Sequence, residues 1–324
     1  MAQETVNPDG EVVLAEELGN ARVVTLNRPE QLNVISSNVV KLLAANLEKW
    51  EKDENAKLVI IKVALVHGIS MGGGASLMAP MMFSVVTEKT VFATPEASIG
   101  YHTDCGFSYM LSRLPGRLGE YLGLTGARLN GKELVAAGLA THFVPLEKLP
   151  ELEKHLLSLN TGDEAAVGSA IKEFSTDVQI DEESILKKHA IIDECFSKNC
   201  VAEIISSFEA EAGKEGNSWI MPVLKCLKRS SPTGLKVTLR SIREGRKQTL
   251  SECLKKEFRI TINTLRTRIS GDVYEWDPPT LEKVEDERVN LIFEPFEEEL
   301  ELKVSENELY RWDGKYEDSA YCHQ

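Results

Sequence analysis

No stretch of this sequence approaches the roughly eighteen consecutive apolar residues that a helix needs to cross a bilayer, so a membrane-spanning role is not expected. The start, Met1-Ala2-Gln3-Glu4, has neither the basic and apolar pattern of a secretory signal nor the arginine-rich pattern of a transit peptide. The end, Ala320-Tyr321-Cys322-His323-Gln324, is not the Ser-Lys-Leu peroxisomal address. A soluble protein that is not secreted is expected, with the cytosol as its default compartment. Positive charge is scarce too: 37 Lys and Arg stand against 51 Asp and Glu, a formal net charge of −14. Nucleic-acid binding draws on clustered cations that displace counterions from phosphates, and the basic run Lys225 to Arg229 is short. It reads as a solvated helix face, and no nucleic-acid partner is expected.

Several chemical signatures are missing as well. Cys105, Cys195, Cys200, Cys226, Cys253 and Cys322 are scattered without a CxxC pair, and a chain of this size needs no disulfide staples, so they read as reduced thiols. The six histidines show no HExxH or paired spacing; neither a metal nor a cofactor is expected. Ser70 and Ser76 do not lie in G-x-S-x-G, so a Ser-His-Asp triad can be drawn only by choosing partners freely.

What is present is core material. With 324 residues, 42% of them hydrophobic and 27% charged, the chain can bury a full core as one large domain or a domain with an appendage. Val12 to Leu14 and Arg22 to Leu26 read as strands joined by a hairpin at Gly19-Asn20. Ser36 or Ser37 can cap a helix whose apolar positions are Val39, Val40, Leu43, Leu47 and Trp50. Leu58 to Lys62 is a buried-type strand, and Val63 to Val66 follows it with no turn between. Gly72-Gly73-Gly74 then leads into a helix over Ala75 to Met82, with strands at Phe83 to Val86 and Val91 to Ala93. This order argues α/β with mostly parallel pairing. Helices are expected over Leu111 to Leu124 and Gly131 to Gly138, then a strand at His142 to Val144. From Leu149 the pattern is helix after helix, including one that starts at Ser231-Pro232-Thr233 and runs through Leu235 to Arg246. The implied division is a core over 1–148, a helical region over 149–275 and an acidic, loosely packed tail over 276–324.

Two places could carry chemistry. Successive glycines ahead of a helix allow close approach of a ligand and leave first-turn N–H groups free, so Gly73 can hold an oxyanion; tight strand-to-helix packing explains the glycines equally well. Glu96 sits just past a strand end, and Asp104 follows in a glycine-bearing loop. Two acids at one cleft could divide base and binding work, although loop acids are usually solvated. His102 between them could also act as a base, with an exposed loop histidine as the plainer reading.

The ordered set Thr25-Leu26-Asn27-Arg28-Pro29, His67-Gly68-Ile69-Ser70-Met71-Gly72-Gly73-Gly74, Thr94-Pro95-Glu96-Ala97-Ser98-Ile99-Gly100, Leu124-Thr125-Gly126-Ala127-Arg128-Leu129 and Ser231-Pro232-Thr233 resembles the 3-hydroxyisobutyryl-CoA hydrolases of the crotonase superfamily. His102-Thr103-Asp104-Cys105-Gly106 is closest to plant members. The resemblance implies an α/β fold with a crotonase-like ββα spiral core and a helical C-terminal region, acyl-CoA thioesters as substrates and a place in valine catabolism. It implies that the Gly73 N–H polarises the thioester carbonyl, that Glu96 attacks the thioester or activates water, and that Asp104 orients the substrate's hydroxyl end. Hydratases of the superfamily carry a second glutamate where Ala75-Ser76-Leu77 stands here, which disfavours water addition to a double bond. Plant relatives are often peroxisomal or mitochondrial, and superfamily members commonly assemble, so a homo-oligomer is a state the resemblance allows.

The resemblance also exposes two gaps. In relatives, several dozen residues with a glycine-rich loop that supplies the first oxyanion donor lie between the strands matching Leu58 to Lys62 and Val63 to Val66. Parallel neighbours need a crossover of about a dozen residues, and none separates these two. A second gap is expected between Glu275 and Trp276. An impaired protein that binds CoA esters, or serves only as an oligomer subunit, is therefore the alternative to a working hydrolase.

Overall fold

The structure, a computed structural model, describes residues 12–31, 33–62, 68–267, 276–297 and 300–304. Its elements are β1 (Val13–Leu18), β2 (Ala21–Leu26), α1 (Ser37–Glu51), β3 (Leu58–Lys62), β4 (Ile69–Met71), α2 (Gly73–Ser76), β5 (Val85–Val86) and β6 (Val91–Ala93). There follow α3 (Phe107–Ser112), α4 (Leu118–Thr125), β7 (Leu129–Asn130), α5 (Gly131–Ala136), β8 (His142–Phe143), α6 (Leu149–Ser158) and α7 (Glu164–Phe174). The rest is helical: α8 (His189–Phe196), α9 (Val201–Ala212), α10 (Ile220–Arg229), α11 (Pro232–Gly245), α12 (Leu250–Thr267) and α13 (Asp286–Phe293). The chain forms two compact units, one of Met1–Val91, Asn130–Val135 and Ala140–Val178, the other of Phe92–Leu129, Ala136–Leu139 and Gln179–Gln324.

In the first unit, β1 and β2 pair antiparallel in a register that sets Leu18 against Ala21 across the Gly19-Asn20 turn. Gly19 has φ +60°, which an L side chain would resist. The Ser36 side chain caps α1 by accepting from the Val39 amide at 3.3 Å. The helix buries Val39, Leu43 and Trp50, whereas Val40 and Leu47 of the expected apolar face are exposed. It carries the chain across to β3, which lies parallel to β2 with Ala21 opposite Leu58. Val13, Val24 and Leu26 from the hairpin close on the buried face of α1, completing one ββα layer. A second cluster, Val144, Leu152, Val167 and Ile171, joins α6 and α7 to Leu58 and Phe83.

The expected helix over Ala75 to Met82 is cut to the single turn α2. Pro80 denies the ladder an N–H and disfavours helical geometry at Ala79, and the Ser84 hydroxyl donates instead to the Met78 carbonyl at 2.6 Å. The expected strand at Phe83 shortens to β5, which pairs parallel with β8. Val63 to Val66 lies outside the described residues.

The second unit is built around α11. Ser231 accepts from the Gly234 amide at 3.0 Å and Pro232 takes the first helical position, as the sequence foretells. Most of the helix is buried against α3 and α4, and at Gly245 a Cβ would overlap the carbonyl oxygen of Ser108. The helix expected over Leu111 to Leu124 is two helices, because Pro115 and Gly116, the latter at φ +54°, break it. Lys225, Lys228 and Arg229 face solvent from α10 while Ile220, Val223, Leu224 and Leu227 are buried, so the basic run is a solvated face. Part of the stretch expected to be loosely packed is docked instead: Val284, Val289 and Ile292 are buried with Val237 and Ile260. The acid excess of 276–297 hides a short apolar face. Among the described residues, no helix is long and apolar enough to cross a membrane.

Candidate active site

Pro95 ends the strand β6, and the chain turns through a short 3-10 segment, Glu96–Ile99, closed by Gly100 in the left-handed region at φ +78°. That turn is anchored from several sides. The Ser231 amide donates to the Ala97 carbonyl at 3.0 Å and the Thr94 hydroxyl to the Leu122 carbonyl at 3.3 Å. A Cβ at Gly126 would stand 3.0 Å from the Pro95 Cα, so the next loop presses on the same turn.

The consequence is a buried carboxyl. Glu96 is 8% exposed, and its Oε2 has no hydrogen-bond partner. Burial pushes its pKa up to about 7, its own backbone N–H opposes the rise, and the charge of Asp104 adds to it. Asp104 is itself raised above the usual carboxylate range, first by burial, while a hydrogen bond from Cys105 opposes. The Cys105 thiol is pushed well up by burial and then by the charges of Asp104, Glu257 and Glu96. The structure thus brings Glu96 and Asp104 together, with one carboxyl poised to gain or lose a proton near neutrality, the property an acid-base or nucleophilic group needs.

His102 departs from the expectation of an exposed loop residue. It is 2% exposed, and burial drives its pKa down to about 3. Nε2 faces the Thr261 hydroxyl at 3.0 Å and Nδ1 the Thr103 carbonyl at 3.3 Å, while the Tyr101 hydroxyl donates to the same Thr261 oxygen at 2.8 Å. A neutral imidazole with its proton on Nδ1 satisfies this chain of contacts. Both nitrogens are engaged, so His102 holds the loop in shape.

Glu257 and Thr261, both on α12, are the site residues that sequence reasoning missed. Glu257 is 3% exposed and accepts from the Gly106 amide at 2.6 Å and the Ser108 amide at 2.9 Å. Cys253, Glu257 and Thr261 recur every four residues, and a glutamate inside the buried stripe of a helix was the signal available.

Gly73 belongs to the first unit, at the first position of α2 behind Gly72, which has φ +50°. A Cβ at Gly73 would lie 3.2 Å from Ile35 Cβ, so the residue is held small by packing. Its N–H falls in the first turn, where no helical carbonyl precedes it.

The sequence model of the enoyl-CoA hydratase/isomerase family matches residues 21–64 and 61–293. Three relatives come from Arabidopsis thaliana. The 3-hydroxyisobutyryl-CoA hydrolase-like protein 5 is 55% identical, covering 99% of each chain. The 3-hydroxyisobutyryl-CoA hydrolase 1 is 36% identical over 90% of this chain and 94% of its own. The small ribosomal subunit protein mS47 is also 36% identical, over 92% and 90%. Among solved structures, a carnitinyl-CoA dehydratase from Mycobacterium thermoresistibile superposes with a TM-score of 0.80 at 27% identity, covering 89% of this chain and 98% of that one. The alignment with the hydrolase-like protein 5 runs over 383 positions, 59 more than the 324 residues here, and the family match breaks in two at 61–64. The break falls where a segment is expected to be missing. With the ββα layer, the helical C-terminal region and these matches, the chain belongs to the enoyl-CoA hydratase/isomerase family, in its crotonase-type fold and beside the 3-hydroxyisobutyryl-CoA hydrolases and their homologues.

Proposed function

We propose that this chain hydrolyses 3-hydroxyisobutyryl-CoA, a thioester of valine catabolism, to the free acid and CoA. The observation that carries the reading is Glu96, a buried carboxyl with one unpartnered oxygen beside a second acid. In the proposed reaction its ionised form adds to the thioester carbonyl carbon, or takes a proton from the water that does. The carbonyl oxygen gains negative charge, which an N–H donor of the kind Gly73 offers would hold; the carbon–sulfur bond then breaks, and CoA leaves as a thiolate that picks up a proton. Where Glu96 itself has added, water opens the resulting acyl anhydride to give the free acid and return the carboxylate. Asp104 accepts from the substrate's hydroxyl and so orients the acyl end. Hydration of a double bond is disfavoured, since Ser76 stands where a hydratase has its second glutamate and its hydroxyl is engaged with the Gly73 carbonyl at 2.7 Å. The compartment proposed is the cytosol, checked by imaging a fluorescent fusion of the full chain.

The second reading, an impaired protein that binds CoA esters or serves as a subunit, is favoured by the positions that the alignment leaves without a counterpart here. Purified protein given 3-hydroxyisobutyryl-CoA and a thiol reagent separates the two. Free CoA well above the level of a Glu96→Gln control supports the hydrolase; no excess over that control ends the hydrolase reading.

A further inference from the structure

We propose that Glu257 on α12 is a positioning residue, which grips the turn carrying Asp104 and thereby sets selectivity for the hydroxyl-bearing acyl group. The inference rests on the hydrolase reading and adds a residue to its machinery. Its foundation is geometric. Each carboxylate oxygen of Glu257 takes one backbone amide, Gly106 to Oε2 and Ser108 to Oε1, at the start of the short helix α3. The N-cap position of that helix, Gly106, has no side chain to cap it, so a glutamate 151 residues further along the chain does so.

One turn further on, Thr261 holds Tyr101 and His102 through its hydroxyl. Helix α12 therefore fastens the loop on both sides of Asp104, at 101–102 before it and at 106–108 after it. Between the fastenings Cys105 has φ +60°, a region that a side chain resists, ahead of Gly106 at φ +83°, which glycine takes freely. A cysteine in the left-handed region persists only where its surroundings over-determine it, and here the Glu257 contacts supply that constraint. The turn directs the Asp104 carboxylate, with Cys105 next to it in the chain.

A carboxylate is a costly choice for this task. Glu257 is enclosed, and the neighbouring Lys256 does not pair with it: its Nζ donates to the Ser241 carbonyl and to Gln248 Oε1, both at 2.6 Å. Burial raises the Glu257 pKa to about 7, against the opposing hydrogen bonds from Ser108 and Gly106. Two separate acceptor oxygens are what a glutamine cannot offer, since its amide nitrogen would face one of the two N–H groups.

The test uses full-length Glu257→Gln and Asp104→Asn chains, singly and combined, with 3-hydroxyisobutyryl-CoA and with isobutyryl-CoA, which lacks only the hydroxyl. The ratio of kcat/KM for the two substrates reports where Asp104 sits, and general loss of stability does not move it. Glu257→Gln is expected to lower that ratio at least about tenfold, with no further drop in the Asp104→Asn background and partial recovery in Glu257→Asp. A ratio within about twofold of wild type in a folded Glu257→Gln chain overturns the proposal. Amide exchange over residues 101–112 reads the grip without any activity: faster exchange at Gly106 and Ser108 in Glu257→Gln is expected, and unchanged exchange overturns it. A wild-type chain that releases CoA from neither substrate sinks the hydrolase reading and the selectivity role with it, and the exchange measurement still decides the grip.

Discussion

Glu120 on α4 and Arg243 on α11 are joined by two hydrogen bonds to one carboxylate oxygen, at 2.9 Å from Nη2 and 3.1 Å from Nε. Arg117 takes the other oxygen at 2.6 Å, and the Glu120 side chain is fully enclosed. Arg243 also donates to the carbonyls of Phe196, Lys198 and Asn199, so one guanidinium ties three elements of the second unit together.

Arg243→Ala is expected to destabilise the chain by roughly 3 kcal/mol, the lower end for removing one partner of a buried pair, because Arg117 stays with Glu120. Denaturant unfolding measures it as a lower midpoint at unchanged slope. A loss under about 1 kcal/mol contradicts the reading of this pair as a structural bolt.

Glu96→Gln gives a prediction in pH. A carboxyl raised on folding from its ordinary 4.5 to about 7 favours the folded state while it is protonated. That contribution is full below about pH 4.5 and is lost as pH rises through about 7, a span worth roughly 3 kcal/mol. Glu96→Gln should match wild type near pH 4 and be more stable at pH 8. Glu257 titrates in the same window in both proteins, so only the difference between their curves reports Glu96. Wild-type kcat/KM should rise with pH through about 7, since the ionised form works; stability curves that run parallel across this range refute the assignment.

At Gly245 the obstacle is backbone, the Ser108 carbonyl, which cannot rotate aside. Gly245→Ala should therefore cost roughly 1–3 kcal/mol through forced separation of α11 and α3. A melting temperature equal to wild type would show that the helices part freely.

Inserting the segment that the sequence resemblance places after Lys62 should raise turnover on 3-hydroxyisobutyryl-CoA by about 10² to 10³, the usual worth of one oxyanion donor. The chimera is compared with the present chain in the same CoA-release assay. Equal turnover would mean that the segment supplies no donor.

The hairpin at Gly19-Asn20, the Ser36 cap and the Ser231-Pro232 start were legible because each is decided by neighbours within a few positions. Apolar periodicity predicts longer helices over Ala75 to Met82 and Leu111 to Leu124 than form, because Pro80 and Pro115-Gly116 break them. The choice of Glu96 and Asp104 came from ordered motifs. Their setting did not, because the turns that carry them are held at Ala97 by the start of α11 and at Gly106 and Ser108 by α12, more than a hundred residues further along the chain.

By itself the sequence determined turns, caps, helix faces and the order of motifs that marks the family, all of them properties of short stretches. Only the tertiary structure decided that Glu96 is shielded enough to titrate near neutrality, that His102 is a buried neutral strut, and that Glu257 reaches back to hold the Asp104 turn. Solvent exclusion and electrostatic environment are sums over everything packed around a group, and packing gathers residues that no local pattern relates.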